Sequence, residues 1–203
     1  MINKQKEMIR SLSDRQMVRQ LYLTQFILIF ISIVLSTLLL GSPFATFSKL
    51  NVYEPKIYLI GVLTACAVIL IDFLIMKFLP KSWYDDGGIN EKLFRTCKLP
   101  HILFLALLIS FTEEWLFRGI LQNAFGIWVA SAIFSLLHFR YLNSMLLFTV
   151  VVLVSFLLGI MYEMTGNLLT TITAHFIIDF VFAVQIRIEY LKRGGSISND
   201  ESS

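Results

Sequence analysis

The stretch LYLTQFILIFISIVLSTLLL, Leu21 to Leu40, runs for twenty residues without a charge. At 1.5 Å of rise per residue such a helix covers about 30 Å, the thickness of a bilayer's hydrocarbon core. It is longer than the apolar core of a cleaved signal peptide, and Gly41-Ser42-Pro43-Phe44 beyond it is a poor small-x-small cleavage site. It therefore reads as an uncleaved first membrane helix. Further apolar windows follow at Ile57 to Leu79, Ile102 to Asn123, Ile127 to Phe139, Ser144 to Met161 and Leu168 to Ile188. Together they predict an all-α, polytopic integral membrane protein with about six transmembrane helices. The fourth window is too short to span alone, which predicts a helix that is tilted or buried among its neighbours. Pro80, Asp85-Asp86-Gly87-Gly88, Pro100, Gly126 and Thr165-Gly166-Asn167 all fall between windows, as breakers should.

Composition agrees with a bilayer as solvent. Hydrophobic residues make up 57% of the 203 and charged residues 15%, against roughly 25% charged in soluble domains. Seventeen Lys and Arg against fourteen Asp and Glu give +3. The basic residues cluster between the windows and form no continuous face, so they read as topology signals and not as a nucleic-acid surface. Lys4, Lys6, Arg10, Arg15 and Arg19 precede the first window; Lys77, Lys81, Lys92, Arg95 and Lys98 follow the second. Arg140, Arg187, Lys192 and Arg193 fall on the same side, and the opposite loops hold only Lys49 and Lys56. Both termini are thus expected in the cytoplasm of a cell whose membrane the chain crosses several times. Cys66 and Cys97 have no metal-type spacing and imply no disulfide framework. The expected organisation is a cytoplasmic segment over 1–20, two helices and a basic loop over 21–101, a catalytic helical core over 102–190, and a disordered tail over 191–203.

An ionisable group inside a membrane helix costs several kcal/mol unless it is paired or hydrated, so each is a candidate for function. The third window holds Thr112-Glu113-Glu114-Trp115-Leu116-Phe117-Arg118, the fourth ends Phe134-Ser135-Leu136-Leu137-His138, and the sixth holds His175-Phe176-Ile177-Ile178-Asp179. Residues four apart share a helix face and adjacent ones diverge by about 100°. Glu114 is therefore placed to pair with Arg118, and Glu113 points elsewhere, left to take a proton from water as a candidate general base. His138 is placed to hold the same water. His175 and Asp179 share one face of the sixth helix and line an opposite wall, where they can assist an oxyanion. Asp72 and His101 lie near span boundaries and read as solvated, supporting or interfacial residues.

The order Glu113-Glu114 with Arg118, then Phe134 with His138, then His175 with Asp179 resembles the CAAX prenyl protease and bacteriocin-processing family, also called Abi, of intramembrane glutamic endopeptidases. The likeness covers about Ile102 to Ile188. It implies proteolysis in a helical membrane cavity without metal or other cofactor. Glu113 and His138 would activate water, Glu114 and Arg118 would be a supporting pair, and His175 with Asp179 would assist the tetrahedral intermediate. The small size and short loops look like a bacterial relative, which implies a peptide or membrane-protein substrate. Two other readings stay open on the residues alone. Two His with carboxylates can make a zinc site with an open position, and a non-catalytic immunity or scaffold protein can use buried polar groups to fix helix packing.

Overall fold

The computed structural model describes residues 11–80, 83–139, 141 and 144–195. Lys4, Lys6, Arg10, Lys81, Arg140 and the tail from 196 onward, which entered the topology and tail expectations, lie outside the described residues. All regular structure among the described residues is helical: α1 (Asp14–Leu40), a 3₁₀ turn (Ala45–Lys49), α2 (Pro55–Phe78), α3 (Ile89–Phe94), α4 (Leu99–Glu114), a π-helical segment (Trp115–Gln122), α5 (Asn123–Leu137), α6 (Met145–Thr165) and α7 (Leu168–Lys192).

Five runs are long and apolar enough to cross a membrane: α1, α2, the 39-residue run Leu99–Leu137, α6 and α7. The third run contains both the third and the fourth predicted windows. Its backbone leaves helical geometry at Gly126, with φ 81° and ψ 170°, a left-handed φ that glycine adopts without steric penalty. The breaker expected at Gly126 thus divides the run into two arms, the second of them the short arm foreseen from the sequence. The first helix starts seven residues earlier than the apolar window, at Asp14, because Ser13 and Gln16 form a reciprocal capping box. Cap chemistry, and not hydrophobicity, sets that end.

The bundle is apolar outside, and its interior mixes apolar clusters with buried polar side chains. Only 17% of the α1 and α2 spans is buried within the protein, so Phe26, Phe30, Leu38, Leu59, Leu63 and Leu70 face outward and need hydrocarbon around them. Buried among the apolar clusters are Gln25, Ser32, Ser36, Thr112, Glu114, Arg118, Ser155, Thr170, Thr171 and His175. This suits a solvent that offers helices no hydrophobic reason to associate, where small residues and hydrogen bonds supply the attraction. Gly61 shows the first device. A Cβ there would sit 2.8 Å from the Thr170 carbonyl oxygen and 2.9 Å from Thr173 Cβ, so α2 lies flush on α7. Phe73 meets Phe182 and Met76 meets Gln185 farther along the same parallel contact. α7 also packs against α3, α4, α6 and the π segment, which makes it the centre of the bundle.

At the basic end, Arg95 forks onto Asp14 at 2.8 and 2.7 Å; this hydrogen bond raises the guanidinium pKa further above its ordinary value. Lys92 donates to the Leu12 carbonyl at 2.8 Å, and Arg187 donates to the Cys97 carbonyl. α3 is thereby tied to the start of α1 and the end of α7. His101, expected at an interface, bonds Tyr22 at 2.8 Å. Asp72 is half-buried on the stripe of α2 that carries Ile57, Gly61 and Ala65.

Candidate active site

Glu113 and Glu114 end α4, and the chain then passes directly into the π segment. Wider π turns are uncommon and concentrate at functional positions. Two side chains bond the same carbonyl of the loosened backbone. Thr46, from the 3₁₀ turn, donates to Gly119 O at 3.1 Å, and Asn123 Nδ2 donates to it at 2.8 Å. A Cβ on Gly119 would fall 2.7 Å from Thr46 Cγ2, so the glycine is what lets this turn dock. Phe44 and Phe47 stack on Trp115 and Phe111 beside it. Every residue of the π segment is buried.

The Glu114–Arg118 pair anticipated from the i, i+4 spacing is present, Nη1 to Oε1 at 3.2 Å, with both side chains 1% exposed or less. Arg118 also donates through Nη2 to Ser155 O at 2.8 Å and Ser155 Oγ at 3.1 Å, and its guanidinium lies 4.8 Å over the Phe134 ring. Such burial is tolerated because the planar fork finds an acceptor on each side.

His175 is placed differently from expectation. Rather than facing the Glu-Glu motif across a cavity, its Nδ1 lies 2.9 Å from Glu114 Oε1, with Nε2 3.5 Å from Asp179 Oδ2. A carboxylate can only accept, so Nδ1 carries the hydrogen. Glu114, Arg118, His175 and Asp179 thus form one chain of polar contacts across α4, the π segment and α7. The approach of α7 to α4 creates it, and no spacing within one helix reveals it. Glu114 Oε2 has no hydrogen-bond partner by geometry, although Thr171 stands beside the carboxylate; the Thr171 hydroxyl donates to Leu168 O at 3.0 Å.

Glu113 is half-buried, and its charge is felt by both Arg118 and His175. It therefore turns toward the same site. His138 stands just past the end of α5, with φ −89° and ψ 24°. Its Nδ1 is 2.8 Å from the Phe134 carbonyl. A carbonyl only accepts, so Nδ1 is the donor and, in the neutral ring, Nε2 carries the lone pair. Phe134 links the two imidazoles: it stacks on His138 at 4.4 Å and meets His175 edge-on at 6.4 Å. All six predicted polar residues therefore border one region where α4, the π segment, α5 and α7 converge.

The sequence reading missed Ser155, Thr171 and Gln25. Ser155 had a faint signal, since with Gly159 it makes a small-residue pair at i, i+4 in an otherwise apolar helix. Gln25 accepts from the Thr112 hydroxyl, one residue before the Glu-Glu pair; nothing local marks it apart from being an uncapped amide in an apolar run.

No solved structure matches the chain. An uncharacterized Bacillus subtilis (strain 168) protein, YpbD, is 56% identical over 143 residues, which is 70% of this chain and 76% of that protein. A family profile described as Type II CAAX prenyl endopeptidase Rce1-like matches residues 95–181, a span containing Glu113, Glu114, Arg118, His138, His175 and Asp179. On this match the chain belongs to the Rce1-like type II CAAX prenyl endopeptidase family of membrane proteases.

Proposed function

We propose that the protein hydrolyses peptide bonds at the membrane with a water activated by Glu113 and His138. The observation that carries this reading is the convergence of three carboxylates, two imidazoles and a guanidinium from separate helices on one largely buried region around Phe134. His138 has its tautomer fixed by the Phe134 carbonyl, so Nε2 accepts a hydrogen bond from water and orients it. Glu113 takes the proton as the water oxygen bonds to the substrate carbonyl carbon. The oxyanion of the tetrahedral intermediate forms near His175, whose position Asp179 and Glu114 hold from its two nitrogens. Glu113 then returns the proton to the amide nitrogen as the C–N bond breaks, giving a carboxylic acid and an amine. Arg118 and Glu114 keep the scaffold electrically balanced and touch no reacting atom.

The substrate class is a peptide or membrane protein. Basic residues at the Arg95 end orient that end, and with it both termini, toward the cytoplasm of a bacterial cell membrane. The test is cleavage of a membrane-peptide library by purified protein in liposomes, comparing wild type with Glu113→Gln and His138→Ala, each with and without chelator. Chelator-resistant cleavage lost in both variants is expected. Loss on chelation would move the mechanism to a bound metal. Inactivity of wild type, with a biological phenotype that survives in both variants, would replace the protease by a packing or immunity role.

A further inference from the structure

A second polar site lies beyond the π segment, at the end of the bundle that carries Gly166. It is a pocket of about 220 Å³ lined by Gln122, Asn123, Tyr162, Glu163 and Gly166, and the chemistry outlined above does not use it. We propose that it binds the ammonium or guanidinium group of a Lys or Arg side chain on a peptide.

The lining is rich in acceptors. Gln122 is 6% exposed; its Nε2 donates to Gly159 O at 2.8 Å and lies 3.4 Å from Glu163 Oε1. Both partners only accept, which fixes the amide's orientation and leaves Oε1 buried with no donor. Tyr162 is 7% exposed; its hydroxyl oxygen accepts from Asn123 Nδ2 at 2.7 Å, which leaves the O–H as a donor at the rim. Glu163 sits in the last turn of α6, which carries no basic residue. A carboxylate there opposes the negative end of the helix dipole, and among the described residues no Lys, Arg or His forms an ion pair with it. A cation with several N–H donors pairs with the Glu163 carboxylate and complements the negative end of the α6 dipole; an anion is repelled by both. The volume suits one such head group with part of its alkyl stem.

Position argues for a peptide. Gln122 closes the π segment and stands nine residues beyond Glu113, so the two sites are at most about 14 Å apart along the helix. An extended chain covers that in about four residues. The identification of the ligand as a peptide rests on the proteolytic reading; the preference for a cation does not.

The test uses the full chain carrying Glu113→Gln in phosphatidylcholine nanodiscs, so that binding is read without hydrolysis. The probe is an N-acetylated, C-amidated Ala-Ala-Lys-Ala-Ala peptide carrying a neutral dye, followed by fluorescence polarisation against its acetyl-lysine counterpart. Loss of a charge-assisted hydrogen bond predicts about tenfold weaker binding of the acetylated peptide. The same weakening is expected for the lysine peptide with Glu163→Gln. Glu54→Gln, which neutralises an exposed carboxylate at the same end of the bundle, should leave binding unchanged. Equal affinity for the two peptides, or an equal loss with Glu54→Gln, would overturn the proposal. Competition by phosphatidylethanolamine in the nanodisc would reassign the site to a lipid head group and overturn it as well. Cation-dependent binding by a wild type that cleaves nothing would refute the protease and leave this site standing.

Discussion

Arg118→Met tests whether the buried polar chain holds the bundle together. The substitution removes three hydrogen bonds, at 3.2 Å to Glu114, 2.8 Å to Ser155 O and 3.1 Å to Ser155 Oγ. Methionine has a similar length and leaves little void, so the effect is electrostatic. It strands the Glu114 carboxylate, 0% exposed, with His175 as its remaining ionic partner. Breaking a buried pair from one side costs about 3 to 5 kcal/mol, chiefly the desolvation of the charge left behind. At about 2 to 4 °C per kcal/mol for a chain of this size, the unfolding midpoint should fall by about 6 to 20 °C, read by tryptophan fluorescence in detergent. Adding Glu114→Gln to Arg118→Met should restore at least about 1 kcal/mol of the loss, since coupled neighbours are not additive. A fall of under about 2 °C, or a double variant no more stable than the single, would refute the buried-charge argument.

Four further outcomes follow from other parts of the molecule. Glu113→Gln should unfold within about 1 °C of wild type yet cleave about 10² to 10⁴ times more slowly, the range for loss of a general base; a stability loss comparable to that of Arg118→Met would place Glu113 in the packing network instead. Gly61→Val, whose Cβ would meet the Thr170 carbonyl at 2.8 Å, should destabilise the α2–α7 contact by about 1 to 3 kcal/mol, measured by unfolding in detergent. Thr46→Val removes a donor from Gly119 O and should cost about 0.5 to 1.5 kcal/mol, with amide exchange rising in Trp115–Gln122. Burial raises the pKa of the Cys97 thiol. A raised folded-state value means that the neutral thiol's contribution to stability is complete below the unfolded pKa of about 8.5 and is lost as pH rises past it. The fall in midpoint above that pH should shrink in Cys97→Ala.

Much of this architecture follows from local patterns. A run such as Leu21 to Leu40 admits few structures besides a helix in hydrocarbon, because unpaired backbone groups there are prohibitive. Gly126 as the division between two arms was legible for a similar reason, since few backbones other than a glycine's turn that way within two residues. The Glu114–Arg118 pair was legible because helical spacing alone puts i and i+4 on one face. Helix starts were less so: Asp14 begins α1 through a capping box that hydrophobicity does not register. The π segment was invisible, because its stability comes from partners distant in sequence, Thr46 among them.

The sequence by itself therefore determined the bilayer as solvent, the all-helical class, the short fourth arm and the set of ionisable residues carried into the membrane. Each is a property of one segment in its medium. Tertiary structure alone decided which of those residues meet. The bond from His175 to Glu114, 61 positions apart, the clasp of Arg118 on Ser155 and the place of Phe134 between two imidazoles all depend on the relative depth and rotation of separate helices. Those are set by close contacts such as Gly61 on Thr170, whose geometry no single helix contains.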